Sequence, residues 1–183
     1  MSHRSLAEHW ESKSHEALST FPNALTSISL FFLLDLLGAK QPSIPSYFRT
    51  THWAYQGLAS IESRMSDLKL FKADHKAPYL PESSKESKYF FNSNIMEDDH
   101  IPFMARGVEV LHMIPNPFPE VWHNHRGIPD DGEHLDPDTV EDWGKMVTAF
   151  IGEWMELEGH FPSKQLAEEK IKGKRKAMPK DEL

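Results

Sequence analysis

Hydrophobic and polar positions along the chain fall into a few distinct patterns. Residues 4–18 place Leu6, Ala7 and Trp10 on one side of a short helix. The stretch SISLFFLLDLLGAK (27–40) is apolar without alternation and is bounded by Gly38 and Pro42, which predicts a strand buried on both faces. After a loop holding Pro42 and Pro45, Leu58, Ile61, Met65 and Leu68 recur at helical steps, so a helix is expected over 50–70. Residues 72–94 are polar and turn-rich and predict a surface loop. GVEVLHMIP (107–115) is a second strand candidate, rich in β-branched residues and closed by proline. Asp136 as N-cap and Pro137 at the first helical position open a long helix, with Val140, Trp143, Val147, Phe150, Ile151 and Trp154 as its apolar stripe.

Buried-type strands alternating with helices predict an α/β fold whose sheet is parallel. Two strands are few for a sheet covered on both faces, so part of the sheet is expected to be missing from this chain. Residues 1–160 form the folded portion of this reading, and 161–183 an exposed charged tail.

Composition narrows the function classes. With 183 residues, 39% hydrophobic and 26% charged, the chain has material for a core. A formal net charge of −8 argues against a nucleic-acid surface. Absence of cysteine excludes disulfides and thiolate metal sites, leaving His and carboxylates as ligands. The polar N-terminus has no apolar signal-peptide core, and the run from Ile28 to Leu37 is too short to be a transmembrane segment. Yet the chain closes on Lys180-Asp181-Glu182-Leu183, the address read by the KDEL receptor in the endoplasmic reticulum.

Several residues bear candidate chemistry. Ligands in open α/β sheets sit beyond the carboxyl ends of strands. Asp35, inside FFLLDLLG, faces a desolvation cost that raises its pKa, or else caps a nearby backbone amide. Asp98 and its neighbours in EDDH are either a repelling acid cluster or a solvated turn, and His100 beside them is a metal ligand or, the favoured reading, a histidine hydrogen-bonded within its loop. His112 reads as a satisfied core histidine. In PNPFPEVWHNH (115–125), three prolines in five residues stiffen a loop just before Trp122 and His123. His123 and His125 have the spacing for two imidazoles on one side of an extended segment, but a zinc site needs about three protein ligands. Trp122 is a stacking wall or a core aromatic.

The motif order FFLLDLLGA, EDDHIPFMARGVEVLHMIPNPFPEVWH and LDPDTVEDWGKMVTAFIGEWMEL resembles the glutaminyl-peptide cyclotransferase (glutaminyl cyclase) family from about Ser5 to Leu157. SYFRTTHWAYQGLASIESRM extends the likeness. The resemblance implies a zinc aminopeptidase-like, hydrolase-like fold: a mixed sheet flanked by helices, with one zinc ion. It implies that peptides or proteins with N-terminal Gln or Glu are converted to pyroglutamate. By position, it makes His123 a zinc ligand and Trp122, Phe118 and Glu97 substrate-binding residues. Asp35 and Asp98 become acids networked to a catalytic glutamate. The family's Asp and Glu zinc ligands and that glutamate lie upstream of the FFLLDLLGA-type strand, where nothing in residues 1–34 resembles them. The chain is therefore expected to match the C-terminal half of the catalytic domain and to be inactive alone. Two alternatives remain: a zinc aminopeptidase of the same fold, and a non-catalytic fragment or regulatory form.

Overall fold

A computed structural model describes residues 3–92, 96–123, 129 and 131–160. Two compact units are distinguished, residues 1–147 and 148–183. The charged tail after residue 160, with its KDEL address, and His125 lie outside the described residues.

The first unit is built around a two-stranded parallel sheet. β1 (Phe31–Leu34) pairs with β2 (Val110–Met113) in the register Phe31↔Val110 to Leu34↔Met113. Amides at both ends of β1 extend the ladder, Phe31 N–H to the Glu109 carbonyl (2.8 Å) and Asp35 N–H to the Met113 carbonyl (2.9 Å). All four β2 residues are buried, as its unalternating apolar sequence requires, whereas β1 is half-buried and ends on exposed Leu34. The mixed α/β class holds. Among the described residues the sheet has two strands, so each has one hydrogen-bonded neighbour.

Helix α1 (His3–Ser12) is shorter than expected. It packs on α3 (Ile101–Met104) through the Trp10–Phe103 edge contact and the Arg106–Glu11 ion pair at 2.8 Å. Ala7, Leu25, Phe103 and Val108 form the buried centre there, with the Phe31 ring of β1 tilted against Phe103 at 4.7 Å. Helix α2 (His52–Asp67) matches the periodicity, although Leu68 beyond its end is exposed. It is tied to the sheet by the Thr51 hydroxyl, which donates to the Val110 carbonyl at 2.6 Å in a buried position.

Two expectations need correction. Residues 72–94 are not simply a surface loop: Tyr79 and Leu80 are buried, and Ser87–Asn92 forms a 3₁₀ turn. Buried Glu62 of α2 accepts hydrogen bonds from the Tyr79 and Leu80 amides at 2.5 and 3.1 Å, so the loop backbone is satisfied by a side chain instead of water. The inward face of α4 (Pro137–Trp154) also differs within the first unit. Thr139, Asp142, Trp143 and Met146 are buried while Val140 is 45% exposed. Trp143 stacks on Tyr79 at 5.5 Å, and Asp142 is fixed by the loop amides. A hydrogen-bonded carboxylate thus takes a place that hydropathy alone assigns to valine. The helix starts as expected, with the Asp136 carbonyl accepting from Val140 N–H and its carboxylate from the Thr139 hydroxyl.

Candidate functional site

The sheet's carboxyl ends bring chemistry-bearing residues together. Asp35 leaves β1 and is held by its amide on Met113 at the end of β2. Asp98 lies before α3. The chain then reverses through α3 and Gly107, whose φ of +84° is a conformation that favours glycine. This reversal lays the Asp98–His100 segment against β2. His112 Nε2 lies 2.9 Å from Asp98 Oδ2. An ionised carboxylate only accepts, so Nε2 carries the proton and donates it.

Burial pushes the His112 imidazole below its usual pKa, against the opposing pull of Asp98. His100 is fully buried and pushed down further, to about 4, by burial and by the neighbouring His112. The two rings are 4.6 Å apart; Phe48 sits edge-on to His100 and Tyr47 lies 5.5 Å from His112. Neither nitrogen of His100, nor His112 Nδ1, finds a hydrogen-bond partner among the described residues. The expectation that His100 bonds within its loop is therefore corrected, and His112 is satisfied at one nitrogen only.

The Asp35 carboxyl is held above the ordinary aspartate range, first by burial and then by the charge of Asp98, with the Leu36 amide opposing. The two acids and His112 act on one another electrostatically, whereas the sequence predicts His123, not His112, beside these acids.

The rigid loop forms a second cluster. Phe118 and Trp122 lie 4.4 Å apart, and the His123 ring stacks on Trp122 at 4.2 Å and 14°. His123 is exposed and has a φ of +48°, a left-handed conformation uncommon for residues other than glycine. Asn116–Pro117 is a cis peptide. Trp122 lines a cavity of about 60 Å³ with Leu36 and Leu135, and Phe118 a separate one of about 280 Å³ with Pro42 and Pro115. The largest described cleft near these segments, about 740 Å³, is lined by Tyr47, Glu82, Lys85, Tyr89, Met96 and Asn116. Glu97 is exposed beside it in sequence.

A zinc ion needs a set of about three ligands. Among the described residues, the three His or acidic groups whose ligand atoms lie mutually within 4.8 Å are Asp98, His100 and His112. His123 is not in that set, so the described residues do not make a zinc site around it. The sequence admits His100 as a ligand but favours a loop-bonded histidine, and it does not group His100 with His112, because that proximity depends on the reversal that folds residues 98–100 onto β2.

Comparison with known proteins fits this architecture. Residues 7–151 match the profile of peptidase family M28. The chain is 40% identical over 158 residues to a glutaminyl-peptide cyclotransferase of Boiga dendrophila, covering 84% of this chain and 39% of the relative. It is 41% identical over 159 residues to a mouse glutaminyl-peptide cyclotransferase-like protein, covering 84% and 37%. A crystal structure of Macrostomum lignano glutaminyl cyclase superposes with a TM-score of 0.67 and 27% identity, over 84% of this chain and 47% of that one. The chain thus spans about two-fifths of the length of these curated relatives. No helix among the described residues is long and apolar enough to cross a membrane. With the family profile matched over residues 7–151, the chain belongs to peptidase family M28, and its recognised relatives are glutaminyl-peptide cyclotransferases.

Proposed function

We propose that this chain serves glutaminyl-peptide cyclotransferase chemistry: closure of an N-terminal glutamine to pyroglutamate with release of ammonia, or of glutamate with release of water. The observation that carries this reading is the acid pair at the strand ends. The Asp35 carboxyl is raised by burial and by Asp98, while Asp98 is fixed by His112. Burial and the neighbouring Asp98 both favour the protonated form of the Asp35 carboxyl.

The reaction needs that property. The α-amine attacks the γ-carbonyl carbon of its own residue, a new C–N bond forms, and the bond to the amide nitrogen breaks. A proton lost by the amine must reach the departing ammonia. Because both groups belong to one residue, positioning replaces a bimolecular encounter. Asp35 and Asp98 hold the proton and set the acidity of the glutamate that the family resemblance gives the transfer step. Phe118 and Trp122 are the substrate walls in this proposal, Glu97 lies at the rim, and His123 contributes one ligand to a zinc whose other ligands lie outside the described residues. In this proposal the KDEL address places the protein in the endoplasmic reticulum lumen.

A peptide hydrolase is the second reading, favoured by the M28 profile itself. One experiment separates them. Residues 7–157 are exchanged into the bovine glutaminyl-peptide cyclotransferase, a 38% identical relative, and an N-terminal Gln peptide is followed by mass spectrometry. Loss of ammonia, abolished by Asp98→Ala, supports the cyclase; loss of the terminal residue supports the hydrolase. A chimera that folds but does neither refutes both. The 183-residue chain alone is expected to turn over neither substrate.

A further inference from the structure

Buried His100 presents an unexplained feature. An imidazole with no exposed surface and two unpartnered nitrogens loses its hydration without replacement. Such groups call for an occupant, either an ordered water or an ion. Its surroundings decide which. The ring lies 4.6 Å from His112, whose Nδ1 is likewise unpartnered, and Asp98 stands on the side open to solvent with 20% of its side chain exposed.

We propose that Asp98, His100 and His112 form a binding site for one divalent transition-metal cation of the zinc type, distinct from any site that uses His123. Two imidazoles and one carboxylate are the ligand set of many mononuclear zinc centres, which keep a fourth position for water. Their ligand atoms already lie within 4.8 Å of one another. A tetrahedral zinc with bonds of about 2.0–2.1 Å sets its ligands about 3.3 Å apart, so modest rotations of the side chains complete the site. Softer imidazole nitrogens select zinc, cobalt or nickel over magnesium and calcium, which take oxygen ligands. Phe48 and Tyr47 wall the two rings and limit their reorientation. Asp98 gives the cation its entry path.

The site needs no substrate and no residue outside the described ones, but it shares Asp98 with the cyclase reading. It also has a consequence for that reading. A cation bound here takes the Asp98 carboxylate out of its pairing with Asp35, so the two roles of Asp98 exclude each other.

The test uses the 183-residue chain, stripped with chelator and dialysed against micromolar Zn(II), with bound metal counted by elemental analysis. One zinc per chain is expected. It should persist in His123→Ala and weaken at least about 100-fold in His100→Phe and His112→Gln, beyond the usual cost of losing a supporting contact. His100→Phe keeps an aromatic ring beside Phe48. Should either variant fail to fold by circular dichroism, X-ray absorption of the wild-type zinc form decides the matter. A shell with two imidazoles that is unchanged in His123→Ala supports the proposal; a shell with one imidazole, or one that loses an imidazole in His123→Ala, overturns it. No zinc on the wild-type chain, or zinc lost only in His123→Ala, also overturns it.

Discussion

Asp142 gives the sharpest test of how the region around the site is held together. Its carboxylate is buried in the first turns of α4 and faces the start of the segment after α2. Lys72 N–H reaches both oxygens at 3.0 and 2.9 Å, Ala73 N–H reaches Oδ2 at 2.9 Å, and Lys145 Nζ reaches Oδ1 at 3.0 Å. Desolvation pushes the group up, but the Ala73 and Lys72 amides and Lys145 outweigh it and leave the pKa below the ordinary 3.8. Asp142→Asn can turn its one oxygen toward the two amides, so it forfeits mainly the bond to Lys145 and the charge on the acceptor. That should destabilise by about 1.5 kcal/mol. Asp142→Ala leaves two part-buried amides and the ammonium without their acceptor, at about 1–1.5 kcal/mol each, hence about 3–4 kcal/mol. Urea unfolding at pH 7 with constant m-value measures both. The sign with pH is fixed: a depressed carboxylate adds stability above 3.8, and this is lost as pH falls through its folded pKa. The gap between wild type and Asp142→Ala should therefore narrow in acid. A cost under about 1 kcal/mol for the alanine variant, or a gap that widens below pH 4, would refute the account.

Two further outcomes follow from the strand ends. In metal-free protein, carbon-detected NMR should find Asp35 titrating above 3.8, and Asp98→Asn should lower that pKa without restoring it, because burial, the larger cause, remains. Its contribution to stability is accordingly greatest below 3.8 and is lost as pH rises through the folded pKa; an Asp35 value unmoved by Asp98→Asn would refute the coupling. Thr51→Val removes the donor to the Val110 carbonyl in a buried position and should cost about 1–2 kcal/mol in the same urea assay, with a neutral result refuting the proposed tie between α2 and the sheet.

Part of the fold was legible in the sequence. VLHM, buried throughout, read as a strand from its β-branched and apolar surroundings, FFLL read as one from an unalternating apolar run although β1 is only half-buried, and α2 read as a helix from its stripe. Asp35 stood out for the same reason, a carboxylate in an apolar run. Hydropathy failed where polar groups are buried by partners distant in sequence. Tyr79 and Leu80, between Pro78 and Pro81, looked like loop because the acid that anchors their amides, Glu62, lies a helix away. Asp142 drew no reading from the sequence because its partners are amides some seventy residues earlier.

His100 and His112 show the limit most clearly. Each alone reads as an ordinary histidine, and nothing in the spacing of residues 98, 100 and 112 separates a ligand set from a coincidence. Their convergence depends on three backbone facts: α3 is a single turn, Gly107 takes a positive φ, and β2 runs parallel to β1. The reversal at Gly107 directs the chain back along the Asp98 segment, and the parallel register places Asp35 at the same end of the sheet. One local geometry therefore produces both the acid pair and the histidine cluster. Gly107→Ala tests that dependence. Its φ of +84° opposes any side chain, although an added Cβ would meet nothing within 4 Å, so the expected cost is conformational, about 1 kcal/mol or more. If the reversal sets the site, this variant should shift the Asp35 titration and weaken zinc binding together. A change in one without the other would mean that the two clusters are held separately.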